Sequence, residues 1–390
     1  MPGFELIGEE ERAAVNEVFD EGGILFRHGF NAQRTKGRFR AIEFEQAFAK
    51  YMGSGYGLAL ASGTAALKVG LKALGIGPGD EVITQAFTFV ATVEAIADAG
   101  AVPVVVNGDD TLNMNPEELE RHITPKTKAI LPVHMLGVSP DMDRILEIAR
   151  AHNLRVLEDN CESPGAMYDG KPLGTLGEVG AYSFDFGKML TTGEGGMVLT
   201  DDPEVDKLAR EYHDHGHENN PNFARGQDTH RISGFNYRMG ELQGAIGMVQ
   251  LQKLEWIVAQ NRKHYAALEK GLAQIDGFRF RRVPSPCKSL CDALIFQVPT
   301  KELANKFAQE MAADGIGTKN LPDAMEWHFA GYWDHIFTQF GVSREDLWKS
   351  LLPTYERLSR SIAVPVMVKY TPERVSKIVN GITRIAGELL

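Results

Sequence analysis

Between residues 56 and 200, short runs of β-branched and other apolar residues alternate with stretches whose apolar positions recur three and four residues apart. The runs Tyr56–Ala61, Glu81–Thr84, Val102–Val106, Ala129–Val133, Arg155–Glu158, Gly180–Phe184 and Gly196–Leu199 read as strands. Between the first two, Ala65–Leu74 sets Ala66, Leu67, Gly70, Leu71 and Leu74 at helical spacing, and the turn Gly75-Ile-Gly-Pro-Gly-Asp80 stops it. Phe89–Ala99, Pro116–His122 and Asp141–Asn153 read as crossover helices, each closed by Gly, Asn or a Pro-containing loop. Strand, helix, strand in regular succession predicts an α/β fold, a mostly parallel seven-stranded sheet between helices.

After Asp201 the texture changes. A charged helix runs through His213, and an irregular loop rich in His, Asn and Gly follows. A long helix from Met239 to about Gly271 carries Leu242, Ile246, Val249, Leu251 and Leu254 on an apolar stripe. Beyond it, Ala293–Val298 reads as a strand, with helices at Thr300–Gly315, Arg344–Ser359 and Pro372–Leu389. Two domains are expected, a large α/β domain over residues 1–260 and a small α+β domain over 261–390.

Composition narrows the function classes. The chain has 390 residues and a net charge of −11, which argues against nucleic-acid binding, since that calls for clustered Lys and Arg on one face. The N-terminus has no basic start followed by an apolar core, and no run reaches a membrane span, so the reading is a cytoplasmic protein without membrane partners. Three cysteines, Cys161, Cys287 and Cys291, are too few for a disulfide framework, and the last two lack second-half ligands for a metal. His213, His215 and His217 could be read as a metal set on a strand. Gly216 and Asn219-Asn220-Pro221 indicate a turn instead, so no metal is expected and the imidazoles are read as polar contacts near a site mouth.

Candidate chemistry centres on Lys188, in Ser183-Phe-Asp-Phe-Gly-Lys188, followed by Thr192-Gly-Glu-Gly-Gly196. About thirty residues upstream Asp159 follows an apolar run. A lysine among small residues plus a carboxylate at a strand end suits pyridoxal phosphate (PLP), which needs an amine to attach to and an acid to hold its pyridine nitrogen protonated. A solvated loop lysine is the bland alternative, and only its neighbours argue against that. Ser62-Gly63-Thr64-Ala65 ends a strand and opens a helix, where free N–H groups and hydroxyls suit a phosphate; the same tetrapeptide is also an ordinary helix cap. Phe87 or Phe89 could cover a ring face, with core packing as the alternative. Ser183 can offer its hydroxyl to the phosphate, and Glu162 either touches the ring hydroxyl or caps a turn. Arg231 and Arg238 are candidates for a substrate anion, against ordinary surface ion pairs.

These segments, with Ala86-Phe-Thr-Phe-Val-Ala-Thr92, Val133-His-Met-Leu-Gly137 and Gly234-Phe-Asn-Tyr-Arg-Met239, resemble the DegT/StrS family of PLP-dependent sugar aminotransferases over most of the length. The resemblance implies the PLP-dependent fold type I and a homodimer in which Asn236 reaches the neighbour's cofactor phosphate while Thr64, Ala65 and Ser183 hold it from within. It implies that Lys188 carries the cofactor as an internal aldimine, that Asp159 partners the pyridine nitrogen and that Phe89 stacks on the ring. It also implies that an amino acid such as L-glutamate leaves its nitrogen on pyridoxamine phosphate before a keto sugar collects it. The Lys188 amine is expected to move the proton, with a pKa lowered by apolar, electropositive surroundings. Glu162 departs from the family's usual Gln or His, and an ionised carboxylate there would repel the cofactor's phenolate unless protonated or turned away.

Met1-Pro-Gly-Phe-Glu-Leu6, Asp214-His-Gly-His217 and Glu326-Trp-His-Phe-Ala-Gly-Tyr-Trp-Asp-His335 resemble enzymes that aminate C8 of an oxidised 3-deoxy-octulosonate of lipopolysaccharide. His215 and His217 are expected substrate contacts. Nucleotide-linked 3-keto or 4-keto hexoses are the alternative acceptors. A PLP-dependent sugar dehydratase would carry His in place of Lys188. A nicotinamide oxidoreductase is disfavoured because Gly174, Gly177 and Gly180 precede a strand rather than follow the first one. A non-catalytic PLP-binding regulator is the rival from another class.

Overall fold

The computed structural model of the chain describes residues 3–26, 37–220 and 222–390, so Met1, Pro2 and Pro221 of the motifs above lie outside the described residues. Seven strands form the central sheet: β1 (Tyr56–Leu60), β2 (Glu81–Gln85), β3 (Val102–Val106), β4 (Thr127–Leu131), β5 (Arg155–Asp159), β6 (Val179–Ser183) and β7 (Gly196–Thr200). Their order across the sheet is β1-β7-β6-β5-β4-β2-β3. All neighbours are parallel except at β7, which runs antiparallel to both β1 and β6, with Leu58 opposite Val198 and Tyr182 opposite Met197. Helices on both faces explain why β4, β5, β6 and β7 are buried at nearly every position rather than at alternate ones.

Each face has its own core. Helices Gly63–Ala73 and Ala91–Asp98 bury Leu67, Leu71, Val93 and Ile96 against Leu157 and Leu131 on one side. On the other, Phe44 and Phe48 meet Tyr182, Phe184, Ile130 and Leu254. The Phe44 and Phe48 helix, Arg40–Met52, and the preceding Glu9–Asp20 both pack on the long helix Glu241–Leu272; the sequence reading had assigned neither. Their apolar faces are interrupted by Glu11, Arg40 and Glu45, which are buried here through ion pairs and hydrogen bonds.

A second sheet is built from β8 (Arg279–Phe280), β9 (Ala293–Gln297) and β10 (Ser361–Pro365), all antiparallel. With helices Lys301–Ala313 and Pro372–Leu389 it encloses a third core around Phe296, Phe307, Ile362 and Ile382. The Glu241–Leu272 helix passes through residue 260 unbroken, and only its last turns, Leu268 and Leu272, enter this third core. We therefore propose the division near 260 as a change of packing partner along one helix. The C-terminal portion also returns to the large sheet: Met325, Phe329, Trp333 and Leu351 join the first core, and Phe87 bridges to Phe329. That return positions the site. No helix among the described residues is long and apolar enough to cross a membrane.

Candidate active site

The carboxyl ends of parallel strands are where open α/β sheets gather their ligands, and a cavity of ≈ 320 Å³ lies there. Its wall includes Gly63, Thr64, Phe89, Asp159, Glu162, Ser183 and Lys188, seven of the residues singled out from sequence. The hydroxyl-rich end is formed where Ser62 caps the Gly63–Ala73 helix, its Oγ accepting from the Ala65 N–H at 3.1 Å. Gly63 has no room for a side chain: a Cβ there would sit 2.6 Å from Ser183 Cβ, so glycine is what lets Ser183 stand against the helix start. A concave, hydroxyl-bearing helix N-terminus of this kind suits a phosphate.

Asp159 ends β5. Its Oδ2 accepts from the Thr92 hydroxyl at 2.8 Å and its Oδ1 from the Cys161 N–H at 3.1 Å, while Thr92 is within 2.6 Å of the Thr88 hydroxyl. The adjacent Glu158 is fixed in the opposite direction, accepting from His134 Nε2 at 2.8 Å and from the N–H groups of Gly174, Leu176 and Gly177. One carboxylate of the pair thus locks the fold while the other is left facing the cavity.

Lys188 follows β6 on a turn held by its own N–H donating to Asp185 O at 2.9 Å. The N-terminal segment lies beneath it, Gly3 N–H donating to Lys188 O at 3.1 Å, and a Cβ on Gly3 would lie 2.5 Å from that oxygen. Lys188 Nζ meets Glu162 Oε1 at 3.2 Å. The expected lowering of the Lys188 pKa is overturned in this state. Burial alone would lower it, but the carboxylates of Glu162 and Asp159 outweigh burial and raise it. The Glu162 carboxylate is turned toward Lys188, and its pKa is low. Burial would raise its pKa, but the charges of Lys188 and Lys319 bring it down to about 2. Burial pushes the nearby Cys161 thiol up, so it is no nucleophile at neutral pH.

Several sequence candidates stand elsewhere. Ala65 spends its N–H on Ser62 and does not line the cavity. Phe87 is buried in the core, whereas Phe89 is 43% exposed, its ring 5.5 Å from that of His328. Arg231 pairs with Glu211 at 3.0 and 3.1 Å, and Arg238 pairs with Asp214, which also takes Arg225 at 2.6 and 2.8 Å. His217 Nδ1 lies 3.1 Å from Asp228, and His215 and Asn236 are exposed. None of these five predicted residues lines the cavity of a single chain, because their charges and hydrogen bonds are satisfied within the loop or face outward.

Two contributors escaped sequence reasoning. His328 lines the cavity with Nδ1 donating to Ala324 O at 2.8 Å, and burial lowers its pKa, leaving a neutral ring. Asn320 lines it too, at φ 66°, its amide nitrogen without a hydrogen-bond partner among the described residues. His328 lies in the Glu326–His335 segment, the one signal that could have marked it.

Residues 7–383 match the DegT/DnrJ/EryC1/StrS aminotransferase family. GDP-perosamine synthase of Caulobacter vibrioides is 38% identical over 313 residues, 77% of this chain and 80% of that protein. Spore coat polysaccharide biosynthesis protein SpsC of Bacillus subtilis is 32% identical over 388 residues, 97% of this chain and 95% of that one. Among solved structures, 3-amino-5-hydroxybenzoic acid synthase superposes with a TM-score of 0.86 at 27% identity, covering 99% of this chain and 98% of its own.

Proposed function

The chain belongs to the DegT/DnrJ/EryC1/StrS aminotransferase family, sugar aminotransferases that depend on pyridoxal 5′-phosphate, and from that premise we propose that it moves an amino group from L-glutamate to a keto sugar. The single observation that carries the proposal is one cavity that presents the Lys188 amine, the Asp159 carboxylate and the Ser62, Thr64 and Ser183 hydroxyls together. These residues fit the cofactor, since the hydroxyls of Ser62, Thr64 and Ser183 suit its phosphate and the Asp159 carboxylate suits its ring nitrogen around one cavity. Bound there, the cofactor supplies an electron sink for the substrate carbon as it loses its proton.

The remaining work falls to this chain. Asp159, held by two neutral donors, keeps its negative charge for a positively charged ring nitrogen. Thr64 and Ser183 bind a phosphate at the helix start, and Phe89 offers a flat face. Lys188 Nζ, released from the cofactor as the neutral amine, takes the proton from the substrate carbon and returns it at the neighbouring position, a general acid–base role worth roughly 10²–10⁴-fold. Asn236, exposed and outside the single-chain cavity, is proposed to reach the phosphate of a second copy in a homodimer. A cytoplasmic location belongs to the same proposal.

For the acceptor, the octulosonate reading is supported by the placement of two of its three segments: Gly3 lies under Lys188 and His328 lines the cavity. A nucleotide-linked keto hexose is the second reading, favoured by the relative named for a GDP-linked product. Bleaching the visible absorbance with glutamate and then adding oxidised octulosonates or nucleotide-linked keto hexoses decides between them, because the true acceptor restores the colour. A protein that glutamate does not bleach is a PLP-holding regulator, and the proposal fails.

A further inference from the structure

Glu162 is built into the site. Its Oε1 is 3.2 Å from Lys188 Nζ and its Oε2 accepts from the Leu136 N–H at 3.2 Å. Leu136 reaches that position in the left-handed region, at φ 52°, beside Gly137 at φ 79°. A leucine is held there at some cost, which the surrounding structure must offset. The Glu162 side chain is 7% exposed and that of Lys188 14%, so water screens the pair little. Lys319, whose charge also acts on Glu162, is tied to the buried Asp292.

Resting on the reading that Lys188 carries the cofactor, we propose that Glu162 is a positioning residue that keeps the Lys188 nitrogen positively charged both before and after it joins the aldehyde. The step balances without a proton leaving. The Lys188 ammonium hands one proton to the aldehyde oxygen, the freed amine forms the C=N bond, that oxygen leaves as water with a second proton from the nitrogen, and the nitrogen retains one hydrogen and the positive charge. Nζ therefore presents a cation to Glu162 on both sides of the reaction, and the carboxylate need not move or titrate. A neutral Gln at the same place would offer hydrogen bonds but no charge. The other titratable groups facing the pair are Asp159 and Cys161 from the β5 end, Asp185 and Glu194 from the lysine loop, and Lys319 and His328 from the C-terminal portion. Glu162 is the one in direct contact with Nζ, and its low pKa of about 2 leaves it ionised across any workable range.

The test is a pH titration of visible absorbance on native protein, Glu162→Gln and Glu162→Asp, each reconstituted with pyridoxal phosphate. The charged form should persist to higher pH in the native protein, with the midpoint lower by about 1–3 pH units in Glu162→Gln, the scale of one adjacent opposite charge. Glu162→Asp, whose carboxylate stands farther from Nζ, should fall between them and serves alone if the Gln protein takes up no cofactor. Equal midpoints in all three, or a higher one in Glu162→Gln, overturn the role of Glu162 while leaving the cofactor reading intact. A native protein that gives no visible band overturns the cofactor reading itself.

Discussion

Asp159 and Asp214 are two buried aspartates with opposite surroundings. Asp214 is gripped by Arg225 and Arg238, so its charge is already matched within the loop. The direct hydrogen-bond donors to Asp159 are a threonine hydroxyl and a backbone N–H, both neutral. The same side chain is a structural tie in one place and an available charge in the other. What separates them is whether the local chain supplies a cation. An anion already paired with guanidinium gains little from a ligand, whereas one held by dipoles is oriented and retains its full field.

Replacing each aspartate's partners or charge breaks the comparison at different strengths. Asp159→Asn should have the largest effect, since it keeps the shape and removes the charge. A fall in kcat of roughly 10²–10³-fold is expected, the scale of one lost preorganised electrostatic contact, with the fold intact by circular dichroism. An unchanged kcat would place the essential charge elsewhere. Asn236→Ala should weaken retention of pyridoxal phosphate about 10-fold, one hydrogen bond to a charged group, as measured by equilibrium dialysis. Retention equal to the native protein's would remove the second copy from the site. Arg238→Ala should have the smallest effect. Arg225 still pairs Asp214, so a stability loss of about 1–2 kcal/mol in urea unfolding is expected, with the glutamate half-reaction unchanged. A large rise in the glutamate KM would return Arg238 to the substrate contacts.

The same contrast marks how far the sequence could be read. Asp159, Ser183 and Gly63 were legible because each sits at a strand end or helix start at the sheet's carboxyl edge, and Lys188 because its neighbours and the family resemblance they carry marked the turn after β6. All seven central strands were readable too, being apolar runs bounded by turns. Arg231, Arg238 and His217 misled because residue type does not disclose a partner: Glu211, Asp214 and Asp228 close on them only in three dimensions. Asn320 and His328 were missed for the converse reason. They arrive from more than a hundred residues downstream, carried by a segment whose Phe329 and Trp333 are buried in the first core. The β10 strand was overlooked because only Ser359 and Arg360 separate it from the preceding helix, with no Gly or Pro to mark a break.

The most direct test of the account is reduction of the reconstituted protein with borohydride, followed by mass mapping of its peptides. The expected result is a single phosphopyridoxyl group on Lys188 and none in a Lys188→Ala protein. A label on Lys319 or any other lysine, or an unlabelled chain despite a visible band, would contradict the assignment of this cavity as the site of amino transfer.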